Sequence, residues 1–189
     1  MQVLTPESTT TQLITGEELL ARGDIGRCEL VEGKIVMLSP TGNRHARIES
    51  RFDRTLGAYG ESHGLGIALV GELGIYTHRN PDSVRAPDFA FVSKERAARV
   101  KSDGYLEIAP DLVLEVMSPD DRWTNVMKKL GEYLEIGVRV VLIAEPDNQR
   151  VSAYRSLTDV QIFNVNDVLT VEDVLPGFSV PISTLFEET

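Results

Sequence analysis

The chain has 189 residues, 42% hydrophobic and 25% charged, an ordinary globular composition that suits one domain better than two. Nineteen Lys and Arg against 29 Asp and Glu leave a formal net charge of −10, which argues against a basic protein that coats nucleic acid by bulk charge; a polyanion must meet a local basic patch or a bound metal. The single Cys28 excludes an internal disulfide framework and fits a reducing compartment, and no apolar run nears the roughly 20 residues of a membrane span, so a cytoplasmic protein is expected.

Residues 1–12, rich in Thr, Ser and Gln, read as a flexible N-terminus ahead of a single domain over 13–189. They lack the basic start and apolar stretch of a signal peptide. Thr15 with Glu18 makes a capping-box pattern that opens a helix at Leu19 and Leu20. CELVEGKIVML predicts a hairpin turning at Glu32-Gly33. NRHARIESRFDRTLGAYG predicts an amphipathic helix. IALVGELGIYT is strand-like and HRNPDS is a turn. VRAPDFAFV reads as a strand in which Pro87 marks an edge or a beginning, and KERAARVK as a short helix. PDLVLEVM, then SPDDRWTNVMKKLGEYLEIG closed by Gly137, then VRVVLIAEP give strand, helix and strand. This is a βαβ unit whose apolar strands are buried on both faces. RVSAYRS pairs back across the EPDNQ turn, and the tail from Thr158 reads as short strands. The expected architecture is α/β, one mixed sheet with helices on its faces.

Several familiar chemistries are excluded. There is no Walker-type loop and no dinucleotide fingerprint. Gly60-Glu61-Ser62-His63-Gly64 has the lettering of a nucleophile elbow, but here a helix precedes and a strand follows, the reverse of what that elbow needs. One Cys and three scattered histidines (His45, His63, His78) do not make a structural zinc site.

Two carboxylates stand out because they fall inside apolar strands. Period two puts Asp88 on a face with Ala90 and Val92, and Glu115 on a face with Val113 and Met117. A buried carboxylate costs several kcal/mol unless it is paired or binds a cation. Two on neighbouring strands repel unless a divalent ion lies between them, and oxygen ligands of this kind suit Mg²⁺ or Mn²⁺. The competing reading is that each sits at a strand end and pairs with an arginine.

The two long helices add cations. At about 100° per residue, Trp123, Val126, Met127, Leu130, Tyr133 and Leu134 share a stripe about 120° wide. Lys129 flanks that stripe, about 40° from Tyr133, and can bring its ammonium toward the sheet, whereas Lys128 lies on the solvated side. On the helix from residue 43, Arg44, Arg47, Arg51 and Arg54 fall on one side. They form either a solvated face or a local phosphate track for DNA, weakened by Glu49 and Asp53. His45 falls among the apolar residues Ile48, Phe52, Leu56 and Tyr59, so it points inward.

In order and spacing, PDFAFV, DLVLEVMSPDDR and KKLGEYLEIGVRVVLIAEPDNQRVSAYR resemble the Uma-type restriction-endonuclease family of the PD-(D/E)xK nuclease superfamily. The resemblance runs from ELVEGKIVMLSP and its following histidine to LPGFSVPISTLF. It implies a restriction-endonuclease-like fold, a central mixed β-sheet flanked by helices, and metal-dependent endonuclease activity on DNA. Asp88 matches the Asp of the Pro-Asp motif and Glu115 the second acidic motif. Glu29 opens the E-L-x-x-G segment, His45 follows the S-P segment, and Lys129 matches the lysine of K-L-x-x-Y. The wider superfamily's E-x-K would put lysine at position 117, where this chain has Met117; the family carries it on the following helix, where the wheel puts Lys129.

The resemblance thus assigns catalytic work to Glu29, His45, Asp88, Glu115 and Lys129. Asp88, Glu115 and the backbone carbonyl of Val116 would hold Mg²⁺ (or Mn²⁺). The alternative is a catalytically inactive nuclease-like binding or regulatory module, which the net charge of −10 favours. Double-strand cutting with one site per chain would imply a homodimer.

Overall fold

The computed structural model describes residues 12–100, 103–119 and 121–187, so the flexible segment expected at 1–12 lies, through residue 11, outside the described residues. Helix α1 (Gly16–Ala21) opens with the expected capping box: Glu18 N–H donates to Thr15 Oγ1 (3.1 Å) and Thr15 N–H to Glu18 Oε2 (2.8 Å). Strands β1 (Cys28–Val31) and β2 (Lys34–Met37) form the hairpin. Glu32 and Gly33 both take positive φ (51° and 74°), the left-handed pair that a two-residue turn between twisted strands requires.

Helix α2 (Asn43–Phe52) runs through a π-helical turn (Asp53–Gly57) into α3 (Ala58–Ser62). The single helix expected here is therefore continuous but wider in its middle turn, and a straight 100° wheel does not carry past Phe52. At Gly60 a Cβ would lie 2.3 Å from the Phe91 ring, so only glycine lets α3 approach the sheet this closely.

Strands β3 (Gly66–Val70), β4 (Ile75–His78), β5 (Ser83–Arg85) and β6 (Phe89–Ser93) follow, then α4 (Lys94–Ala97) and β7 (Leu112–Val116). Helix α5 (Trp123–Glu135), β8 (Val140–Glu145), β9 (Arg150–Tyr154) and β10 (Val160–Phe163) come next, then β11 (Val168–Leu169), β12 (Val180–Pro181) and α6 (Ile182–Phe186). The expected single strand VRAPDFAFV is two strands, because Ala86 to Asp88 leave the ladder around Pro87, which has no N–H to give it. Helix α5 starts at Trp123 rather than near Ser118, and part of the tail is helix α6 rather than strand.

The expected central mixed sheet flanked by helices is present, and among the described residues a four-stranded and a two-stranded sheet accompany it. The largest is mixed, in the order β10-β9-β8-β7-β6-β3, with β7 and β8 parallel across the α5 crossover and every other pair antiparallel. Its strand alternation splits the core in two. Phe89, Phe91, Leu112, Leu114 and Val116 pack on the side of Phe52 and Leu56; Ala90, Val92, Val113 and Ile143 pack on the side of Leu130 and Tyr133. Each fully buried phenylalanine contributes about 2–3 kcal/mol of hydrophobic stabilisation. A four-stranded antiparallel sheet, β2-β1-β5-β4, carries its own small core of Leu19, Leu30 and Val84. Helix α5 touches both sheets, through β8 and β4. The chain passes from the small sheet to the large one at Ala86–Asp88, and the candidate site lies at that crossing. Among the described residues, no helix is long and apolar enough to cross a membrane.

Candidate active site

Asp88 and Glu115 are neighbours. The antiparallel register pairs Phe89 with Leu114, so one step on Asp88 stands across from Glu115. Asp88 precedes β6, and its side chain does not follow the strand's alternation as the sequence suggested. It is buried, accepts the Val116 N–H at Oδ2 (2.7 Å) and meets His45 Nε2 (3.3 Å), which arrives from α2 on the phenylalanine side.

Glu115 faces α5. Lys129 Nζ donates to its Oε2 (3.1 Å) and the Tyr133 hydroxyl to its Oε1 (2.7 Å). Lys129 and Tyr133 are one helical turn apart, so a single face of α5 supplies both donors. Burial pushes the Glu115 carboxyl up to about 7, aided by the charges of Asp88 and Glu29 and opposed by Lys129 and Tyr133. Lys128 points elsewhere, to the exposed Glu32 at 2.9 Å.

Glu29 joins from β1. Lys129 Nζ lies 2.9 Å from its Oε1, Arg85 Nη1 donates to its Oε2 (2.9 Å), and Ala86 N–H donates to Oε1 (3.2 Å). Burial alone would raise this carboxyl, but Lys129 and Arg85 outweigh it and hold Glu29 below its usual value. Burial would likewise lower Lys129, yet Glu115 and Glu29 outweigh it, so the amine is held as an ammonium. Arg85 also grips Glu132 of α5 through Nε and Nη2, both at 2.6 Å. The arginine pairing that competed with a cation site in the sequence thus describes Glu29, and neither Asp88 nor Glu115.

A further group gathers on the α2 side. His45, Glu49 and Asp88 each offer a ligand atom within 4.8 Å of the others. His45 Nδ1 is buried with no hydrogen-bond partner and lies 4.0 Å from Glu49 Oε2. Burial opposes a charged His45, but Asp88 and the Val116 backbone outweigh it and raise its pKa. Burial and the charge of Asp88 raise Glu49. An imidazole set between two carboxylates, its Nε2 toward Asp88 and its orphaned Nδ1 toward Glu49, is a donor set that suits a divalent ion.

The four arginines do not form one open track. Arg44 donates to Asp147 Oδ1 (2.6 Å) and Pro146 O (2.7 Å), and Arg51 donates to the carbonyls of Thr184 and Glu187. Arg54, past the start of the π turn, donates to Ser50 O (3.2 Å). Arg47 is half-buried and makes no ion pair among the described residues. Beside His45, a cleft of about 430 Å³ opens past the carboxyl ends of β7 and β8, lined by Arg44, Met117, Asp121, Glu145 and Asp147.

The sequence singled out Glu29, His45, Asp88, Glu115 and Lys129, and the fold brings these five together. It missed Glu49, Tyr133, Arg85 and Glu132. His45 and Glu49 at i and i+4 were the available signal for the first. Tyr133 falls within the apolar stripe, so its period signals packing and hides its hydroxyl's role.

A family model described as "Uma2: Putative restriction endonuclease" matches residues 16–183. A crystal structure described as a putative nuclease belonging to DUF820, from Anabaena variabilis ATCC 29413, is similar with a TM-score of 0.78. It is 24% identical, and the match covers 92% of this chain and 97% of that one, a likeness of fold. No curated protein matches the chain.

Proposed function

The chain belongs to the Uma2 restriction-endonuclease family, and from that membership we propose that it hydrolyses DNA phosphodiester bonds with a divalent ion at Asp88 and Glu115. The observation that carries this reading is that Asp88 and Glu115 hold adjacent register positions, near enough for the charge of Asp88 to raise the Glu115 carboxyl, with the Lys129 ammonium 3.1 Å from Glu115. The Val116 carbonyl, on the residue whose N–H holds Asp88, is the proposed third ligand. When bound, a divalent ion supplies Lewis-acid stabilisation of a phosphoryl oxygen and lowers the pKa of a water.

The chain's own residues do the rest. Lys129 acts as an ammonium, offsetting charge that grows on the phosphate and orienting the attacking water, and not as a base. Glu29, its oxygens taken by Lys129, Arg85 and Ala86, is a positioning residue that fixes the ammonium. His45 holds Asp88 from the α2 side of the sheet. Tyr133 fixes the rotamer of Glu115. With Arg44 and Arg51 engaged within the chain, Arg47 is the stripe's best candidate for contact with DNA. A cytoplasmic setting fits the free Cys28.

Incubating supercoiled plasmid with Mg²⁺ or Mn²⁺ tests the proposal. Wild type should nick or linearise it, while Asp88→Asn should not. Equal cutting by the two proteins, or none by wild type with any divalent ion, overturns it; the second result favours the inactive nuclease-like module.

A further inference from the structure

Partners are unevenly distributed around the site. Glu29 is bound by Lys129, Arg85 and the Ala86 N–H, and Glu115 by Lys129 and Tyr133. Asp88 has the Val116 N–H and His45. Two groups lack a hydrogen-bond partner among the described residues: the Glu49 carboxylate and the buried His45 Nδ1, 4.0 Å apart. They stand one turn apart on the inward side of α2 and share their neighbourhood with Asp88, all three ligand atoms lying within 4.8 Å. Metal–ligand bonds of about 2.0–2.2 Å to nitrogen and oxygen put adjacent ligands roughly 3–4.5 Å apart. One nitrogen of His45 can serve one ion, and the three ligand atoms, one per residue and all within 4.8 Å of one another, lie near that spacing.

We infer that Glu49 and His45 join Asp88 as ligands of a mixed nitrogen–oxygen cation site that takes Mn²⁺ in preference to Mg²⁺. The inference rests on the metal-dependent reading above and changes its ligand set, since the third and fourth donors come from helix α2. The preference follows from the imidazole. Mg²⁺ is hard, loses water reluctantly and favours oxygen donors, whereas later first-row ions bind nitrogen more strongly. An all-carboxylate pair would discriminate less.

The test is binding of Mn²⁺ and Mg²⁺ alone to the metal-free full chain by calorimetry, with electron spin-echo spectroscopy of the Mn²⁺ complex. Wild type should bind Mn²⁺ at least tenfold more tightly than Mg²⁺ and show nitrogen coupling to the ion. Glu49→Gln should weaken Mn²⁺ about tenfold or more while its circular dichroism spectrum in chelator stays that of wild type, because the carboxylate makes no hydrogen bond among the described residues. His45→Gln should abolish the nitrogen coupling. Unchanged Mn²⁺ affinity in Glu49→Gln, equal affinity of wild type for the two ions, or no nitrogen coupling overturns the inference. Plasmid cleavage separates the two readings. A wild type that binds Mn²⁺ as described but never cuts sinks the nuclease reading and leaves this site standing. A wild type that cuts, alongside a Glu49→Gln that binds Mn²⁺ normally, sinks this site and leaves the nuclease.

Discussion

The Lys129 ammonium sits 3.1 Å from Glu115 Oε2, and it spans from there to Glu29 at 2.9 Å, so one cation ties a strand of the large sheet to a strand of the small one. Its neighbour Lys128 meets only the exposed Glu32. Lys129→Ala should therefore lower the single-turnover rate of plasmid cleavage by about 100-fold or more, the scale of losing one preorganised charge at a reacting phosphate. Lys128→Ala should stay within about twofold. Similar losses from both would remove Lys129 from the mechanism.

Asp88→Asn keeps an oxygen that can accept the Val116 N–H, so the crossing between the sheets should survive while the negative charge is lost. Cleavage should fall by about 1000-fold or more with an unchanged circular dichroism spectrum, and Glu115→Gln should behave alike. A folded Asp88→Asn protein of wild-type activity would rule out the carboxylate pair as the metal anchor.

Arg85 is buried between Glu29 and Glu132. Arg85→Ala leaves the Glu29 carboxylate with one cation fewer and strands Glu132 against the sheet. Breaking a buried pair in this way costs about 3–5 kcal/mol. Urea denaturation should show that loss; a change under about 1 kcal/mol would mean that water or a shifted side chain compensates.

Acid should reveal the same pairing. Glu29 is held below its ordinary value of 4.5, so the unfolded chain binds this proton more readily than the folded one. The stabilisation is whole above pH 4.5 and drains away as pH falls from there through the lower, folded value. Wild type should melt above Glu29→Gln at pH 7, and the gap should narrow below pH 4.5. A gap of constant size down to pH 3 would show that Glu29 contributes packing rather than charge.

Local signals in the sequence were reliable where chemistry is short-range. Glu32-Gly33 specified the hairpin, Thr15 and Glu18 the cap, and two apolar runs around one amphipathic helix the parallel pair. The helical period brought Lys129 to Glu115 because α5 is regular from Trp123 to Glu135. On α2 the wheel holds for Arg44, Arg47 and Arg51, which precede the π turn, and loses its phase only from Asp53 on, at Arg54; that Arg44 and Arg51 are engaged by Asp147 and the C-terminal carbonyls is a matter of distant partners. Glu132 falls on the side of α5 opposite its apolar stripe, where the period alone reads as a solvated face. Its partner Arg85 belongs to a second sheet packed on that side, a relation between residues 47 apart that no local period encodes. Glu49 was weighed only as a negative charge among arginines; its proximity to Asp88 depends on how α2 docks.

The separation of the six-stranded sheet from the four-stranded one has a consequence for engineering. The six-stranded sheet supplies Asp88 and Glu115, but the group that steadies Lys129 comes from the hairpin strand β1 through Glu29. A fragment trimmed to the larger sheet and its helices could keep both acidic anchors and still lose the rivet that aims the ammonium. The minimal unit for transplanting this chemistry onto another scaffold therefore begins upstream of Cys28.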